Sequence, residues 1–341
     1  MVVGVCGLGF TGSGAVIDLL KEFQDIQIQD GDEFGITYRP DGLEDLSYHL
    51  LSKRSRYMSC DVAIYRFKKY VQRLFGPRTS LGRGISETVM KLTDEYISDI
   101  CQVTWFGTWG FDAYYHSRLY NSIKGHFALP LVAKLEKRIS ITGYPYRKMY
   151  LSISPKDYYE RTRQYVSDLI KVMGYDENKV LVMNQLFAGD SPQSSFPFFN
   201  NPKAIIVDKD PRDLYFLGKF EVHNQCAWMP TNDVESFIKY YKTIRSSLKM
   251  QDNNILYVRF ENLVYEYKST ISKIIDFLNL SETKHIESLK YFNPNLSKNN
   301  TQLFRKYPAF KEETHRIEEE LSDWLFPYDR YETLIKFGRS F

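Results

Sequence analysis

Cysteine is scarce in this chain. Among 341 residues there are 4. Cys6, Cys60, Cys101 and Cys226 form no CxxC pair and show no spacing suited to metal ligands. They read as core thiols, which excludes a disulfide framework and points to a reducing compartment. No apolar run approaches the ~18–20 residues that span a bilayer. No charged segment followed by an apolar one precedes the first apolar stretch, so no secretory leader is expected. The expected location is cytoplasmic, with no membrane span. Charge of one sign is also lacking. A net charge of +3 gives no argument for nucleic acid, and any basic site must be local. There is no internal repeat, low-complexity tract or long linker. What the chain has in plenty is aromatic side chains, 26 Tyr and 23 Phe, most of them expected to pack in a large core.

The chain is organised around its first twenty residues. Val2-Val3-Gly4-Val5-Cys6-Gly7 is an apolar, β-branched run. Leu8-Gly9-Phe10-Thr11-Gly12-Ser13-Gly14 is rich in glycine and hydroxyls, and Ala15, Val16, Leu19 and Leu20 then fall at helical spacing. The spacing predicts strand, tight turn and helix start. Glycine lets backbone turn sharply and approach a ligand, and a helix N-terminus presents unpaired N–H groups to an anion. This is a phosphate-type cradle.

Further buried strands are expected at Ile26–Gln29, ending in Asp30-Gly31-Asp32-Glu33, and at 179–185, 204–208 and 255–260. Residues 44–175 alternate little. They suggest helices instead: one capped by Ser59, one over 86–100, and one capped by Ser154 with Pro155 first and Gly174 after its end. Apolar strands separated by helices predict an α/β fold in three layers. We expect a mostly parallel sheet of about five strands, a P-loop-like phosphate-binding loop, and a helical insertion over 44–175. The whole of 1–341 reads as a single domain, with the insertion walling the site on the acceptor side.

Three ligands suit the loop. Gly7-Leu8-Gly9-Phe10-Thr11-Gly12 is literally GxGxxG, and Asp30 and Asp32 follow about 20 residues later, as a dinucleotide-binding unit requires. An NAD-dependent oxidoreductase is therefore one reading, weakened by the long helical stretch before the next strand. Gly7 to Gly12 also has the spacing of GxxxxGK[ST], but Ser13 and Gly14 replace the Lys and the hydroxyl that a triphosphate with magnesium needs. The third reading is a nucleotide with a less charged group at its 5′ end.

Later blocks favour the third. Ala204-Ile205-Ile206-Val207-Asp208-Lys209-Asp210-Pro211-Arg212-Asp213-Leu214 resembles the strand and RDPRD block of sulfotransferases that use 3′-phosphoadenosine 5′-phosphosulfate (PAPS). Tyr257-Val258-Arg259-Phe260-Glu261-Asn262-Leu263, with Asp276-Phe277-Leu278-Asn279-Leu280 after it, resembles that family's YEDL and FLGL blocks. Thr11-Gly12-Ser13-Gly14-Ala15 looks like its 5′-phosphosulfate loop. Ser297-Lys298-Asn299-Asn300 through Arg305-Lys306-Tyr307 resembles the late loop that closes over the cofactor. The order and spacing look most like bacterial cytosolic members.

The resemblance implies sulfuryl transfer from PAPS to an acceptor hydroxyl. It places the 5′ end at Gly9, Phe10, Thr11, Gly12, Ser13, Gly14 and Ala15. The 3′-phosphate would lie at Lys209 and Arg212, where the family has two arginines, with Ser297, Lys298 and Asn299 closing over the cofactor. Arg212 has a bland alternative, pairing with Asp210 or Asp213. The chain departs from the family twice. Leu217 stands where the family has a serine, and Phe10 where many members carry Lys or Arg against the transferred group. Arg39 is the preferred substitute cation, ahead of Lys298, Arg147 and Lys148. Glu33 holds the place of the base in carbohydrate-type members, with Asp32 and His49 in reserve. No metal site is expected. The acceptor is a carbohydrate or glycolipid, with Trp105, Phe106, Trp109, Tyr114 and Tyr115 available to stack on sugars, or a small apolar alcohol such as a sterol or phenol. A non-catalytic nucleotide-binding protein is the remaining alternative.

Overall fold

The computed structural model describes residues 1–29, 31–107, 118–123, 147–176, 178–222, 229–246, 248 and 252–332. Asp30, Trp109, Tyr114, Tyr115 and Cys226 lie outside the described residues. The core is a parallel sheet of five strands: β1 (Val2–Gly7), β2 (Ile26–Gln29), β5 (Val180–Asn184), β6 (Pro202–Asp208) and β7 (Ile255–Arg259). Their order is β2-β5-β1-β6-β7, so β1 lies at the centre, with β5 on one side and β6 on the other. All five strands stand where the apolar runs placed them.

Strand alternation sends successive side chains to opposite faces. Val3 and Val5 of β1 pack with Ile205 and Val207 beneath helix α1 (Ser13–Leu20) and the helix Tyr267–Leu278. Cys6, Met183, Ala204 and Ile206 pack on the other face, against helices α3 (Arg56–Leu74), α4 (Ser86–Ile100) and Tyr158–Val172. Both faces are covered, as a parallel sheet demands. A third cluster joins the helices Pro211–Phe216, Val234–Ser246 and Lys311–Glu320 beyond the end of β6.

The insertion differs from its expected form. Val103–Gly107 is a strand, β3, paired antiparallel with β4 (Arg147–Leu151) in a separate two-stranded sheet. Trp105 and Phe106 are exposed on it. Two helix starts also shift. Ser59 lies inside α3, its hydroxyl donating to the Ser55 carbonyl, and the helix expected from Ser154 begins at Tyr158 behind Asp157. The basic face of α3 is partly neutralised, Arg66 pairing with Asp41 and Lys68 with Asp94. Among the described residues no helix is long and apolar enough to cross a membrane.

Candidate functional site

The loop after β1 is held open by its glycines. Gly9 has φ 88° and Gly12 φ 97°, and Phe10 between them is left-handed at φ 53°. A β-carbon on Gly12 would lie 2.5 Å from the Phe260 ring, so only glycine lets the loop close against the end of β7. Gly12 starts α1 with no side-chain cap. The first N–H groups of α1 are thus left to solvent or a ligand. At Gly14 an added β-carbon would meet nothing within 4 Å.

A cleft of about 960 Å³ opens in front of this helix start. Gly9, Phe10, Gly12, Ser13, Gly14 and Ala15 form one wall, Lys209 and Phe260 the floor, and Leu289–Asn293 with Leu296, Ser297 and Asn300 the far wall. Glu33 and Gln185 stand at one end. Thr11 is absent from the lining. It is buried, and its hydroxyl accepts the Leu8 N–H at 3.2 Å, which braces the turn.

Lys209 is the central finding. It is 2% exposed. Its ammonium lies 4.6 Å from the centre of the Phe260 ring, the ring against which Gly12 packs. Among the described residues Nζ makes no hydrogen bond or ion pair. Burial lowers its pKa, opposed by Asp213, Glu261 and Asp210. A buried cation without a bonded partner is costly, and here it faces the cleft that the start of α1 also lines. The uncapped helix start and the buried ammonium therefore share one cleft, joined through Phe260.

Arg212 is a correction. It does not line the cleft. Its guanidinium donates to Asp210 at 2.8 and 3.0 Å, to Glu318 at 2.9 Å and to the Phe326 carbonyl at 3.0 Å, and it stacks on Phe304. The bland alternative holds, in buried form. Lys298 lies outside this cleft, against Tyr265 and Pro294, and Asn299 does not line it either, whereas Asn300 does. The Asn300 Oδ1 is buried and accepts no hydrogen bond among the described residues. Leu217 is core.

At the cleft's end Glu33 pairs with Arg39. Glu33 lines the cleft and Arg39 does not, so Arg39 serves the carboxylate instead of facing the cleft. Arg147 is held by Asp61 at 2.6 Å, and Lys148 lies over Tyr150. Asp32 accepts from the Ser80 hydroxyl at 2.8 Å. His49 lines neither this cleft nor the smaller cavity described below.

Two groups gave no signal in the sequence. Gln185, left-handed at φ 47°, accepts the Gly7 N–H and donates to the Ser13 hydroxyl, each at 3.3 Å, and so clamps the loop from β5. Glu22, fully buried, accepts the N–H groups of Leu289, Tyr291 and Phe292 at 3.0–3.1 Å and His285 Nε2 at 2.7 Å. It ties the far wall of the cleft to the end of α1.

Beneath Lys209 lies a buried acidic pair. Burial pushes Glu261 up to about 7 and Asp213 up to about 6. The folded state therefore holds these protons more tightly than the unfolded chain. Their stabilising contribution is present below about pH 4 and is lost as pH rises through 6 and 7. Unfolding measured between pH 5 and pH 8 should show stability falling, and Glu261→Gln should flatten the fall by about 2 kcal/mol. An unchanged slope in the variant would rule out Glu261 as its source.

No family model matches the chain, and no curated protein matches it. Solved structures do overlay on it. A sulfotransferase domain from the curacin biosynthetic pathway has 16% identity and a TM-score of 0.40, over 94% of this chain and 97% of that one. A sulfotransferase domain from the Synechococcus PCC 7002 olefin synthase has 12% identity and a TM-score of 0.38, over 98% and 88%. Retinol dehydratase in complex with androsterone and the inactive cofactor PAP has 13% identity and a TM-score of 0.34, over 98% and 83%.

Proposed function

We propose that the chain transfers a sulfuryl group from PAPS to an acceptor hydroxyl. One observation carries this reading. The uncapped start of α1 and the ammonium of Lys209, which has no hydrogen bond or ion pair among the described residues, face the same cleft across Phe260. Such a site asks for a ligand with two separate anionic groups, which a 3′-phosphorylated, 5′-substituted adenosine has. The residues fit it. The N–H groups of Ser13 and Gly14 would hold the 5′ end and Lys209 the 3′-phosphate. Ser297 and the orphaned Asn300 carbonyl lie on the far wall for the remainder. The donor supplies the sulfuryl group, and the products are a sulfate ester and adenosine 3′,5′-bisphosphate. Glu33, held by Arg39, is the carboxylate placed to take the acceptor's proton.

The dinucleotide reading loses its support in the sheet order. In a dinucleotide-binding fold the second strand neighbours the first. Here β5 lies between β1 and β2, which moves the acidic end of β2 about 5 Å further from the loop. A non-catalytic nucleotide-binding role keeps a specific argument. Phe10 puts no cation beside the loop, and Arg39 is engaged with Glu33.

Thermal-shift measurements separate these. Adenosine 3′,5′-bisphosphate at about 100 times its Kd should add roughly 2.7 kcal/mol, a Tm rise of about 5 °C, with NAD, ATP and GTP giving little. A rise with NAD alone would falsify the proposal. Bisphosphate binding with no transfer from PAPS to any alcohol would instead favour the non-catalytic role.

A further inference from the structure

Sulfuryl transfer needs the acceptor to touch the donor's 5′ end, and a second cavity abuts the loop after β1. It holds about 300 Å³ and is lined by Leu8, Tyr38, Gln185, Phe187, Asp190 and Ile244. Gln185 lines both this cavity and the larger cleft, and its amide is the one that clamps Gly7 and Ser13. The loop approaches closely here. A β-carbon on Gly189 would lie 2.5 Å from the Gly7 carbonyl. No described residue of the 44–175 insertion lines either cavity.

We propose that this second cavity is the acceptor site and that it takes one polar ring of hexose size. The proposal rests on the sulfuryl-transfer reading and chooses between its two acceptor classes. Size is the first argument. Ligand pockets run from about 300 to 1,000 Å³, so this one is small, and a four-ring sterol would overfill it. Chemistry is the second. Asp190 is half-buried, and among the described residues its carboxylate has no hydrogen bond or ion pair, so it is free to accept from ring hydroxyls. Tyr38 adds a phenol whose pKa burial pushes up to about 12, which keeps it a hydrogen-bond donor. Gln185 adds an amide. Leu8, Phe187 and Ile244 supply the apolar surface against which a sugar's C–H groups pack. The Arg39 guanidinium, the partner of Glu33, also acts electrostatically on the Tyr38 phenol, which connects this wall to the carboxylate at the cleft's end.

The test uses the full chain saturated with adenosine 3′,5′-bisphosphate, so that acceptor binding is read without turnover. The probes are the methyl glycosides of glucose, galactose, mannose and glucosamine, with dehydroepiandrosterone and p-nitrophenol for the other class. Saturation-transfer NMR and calorimetry should show at least one glycoside binding and the steroid not binding. Asp190→Asn and Ala188→Trp, the second filling the cavity from its wall, where Ala188 lies, should each weaken the glycoside at least 10-fold and leave bisphosphate affinity within 2-fold. Binding of the steroid or of p-nitrophenol in preference to every glycoside, or undiminished glycoside binding in both variants, would overturn the assignment. So would no binding of any glycoside to a protein that holds the bisphosphate. Failure of the wild-type chain to bind the bisphosphate would be a different result and would remove the sulfuryl-transfer reading itself.

Discussion

Lys209→Met is expected to cost about 100-fold in affinity for adenosine 3′,5′-bisphosphate and to move Tm by no more than about 3 °C. The two halves of this result have one cause. Lys209 is buried against the face of Phe260 with Asp213, Glu261 and Asp210 nearby, and among the described residues its ammonium has no hydrogen bond or ion pair, so the folded protein holds a desolvated charge without a hydrogen-bonded counter-ion. Methionine keeps the length and apolar body of the side chain and removes the desolvation cost. Against that, Asp213 and Glu261 lose some compensating charge, and the opposed effects leave stability near its starting point. Binding has no such cancellation. A charge-assisted bond to phosphate inside a buried site is worth about 3 kcal/mol, which is the 100-fold. The sign of the pH effect follows. Burial lowers the lysine's pKa in the free protein, and a bound phosphate raises it again. Binding in alkaline buffer should therefore take up a proton and weaken as pH rises. Calorimetry in buffers of different ionisation heat would read that uptake, and the methionine variant should show none. An unchanged affinity in the variant would remove Lys209 from the site and with it the argument for a 3′-phosphate.

The sheet could be read from the sequence because each strand is a local apolar run bounded by local turn chemistry. The turn could be read because glycines mark where backbone bends sharply, and Gly9, Gly12, Ser13 and Gly14 all line the cleft. What escaped the sequence depends on which distant segment lies alongside. Gln185 clamps the loop only because β5 inserts between β1 and β2, and no local pattern announces strand order. Glu22 reaches a segment 267–270 residues away, so the far wall of the cleft was invisible from either end. The pairing of β3 with β4 was missed because neither strand alternates, β3 being exposed from Val103 to Phe106. Lys209 and Arg212 suggest one task because they are neighbours in a motif. They part because Arg212 is held by Asp210 beside it and by Glu318 and the Phe326 carbonyl, from the helix Lys311–Glu320 and the segment after it.

Arg212→Met should show the reverse of the lysine variant: a Tm lower by roughly 8 °C, with bisphosphate affinity of the folded protein kept within a few-fold. The guanidinium is bonded to Asp210, Glu318 and the Phe326 carbonyl, and it lies between the Phe304 and Tyr328 rings, 4.5 and 5.4 Å from their centres. Through these bonds it holds the helix Lys311–Glu320 and residues 326–328 against the end of β6. Removing one partner of a buried ion pair costs about 3–5 kcal/mol, because the other charge is left stranded. Here that charge is Asp210, which is fully buried. Asp210 would keep its contacts with the backbone N–H groups of Arg212 and Phe326, so the fold should weaken without collapsing. The double variant Asp210→Asn with Arg212→Met then distinguishes a stranded charge from lost packing. If the stranded carboxylate dominates, neutralising it should recover a substantial part of the lost Tm, as a coupled pair requires. No recovery would mean that the rings of Phe304 and Tyr328, and not Asp210, are what the arginine stabilises. Loss of bisphosphate affinity at unchanged Tm would instead return Arg212 to the anion site, against its position in the structure.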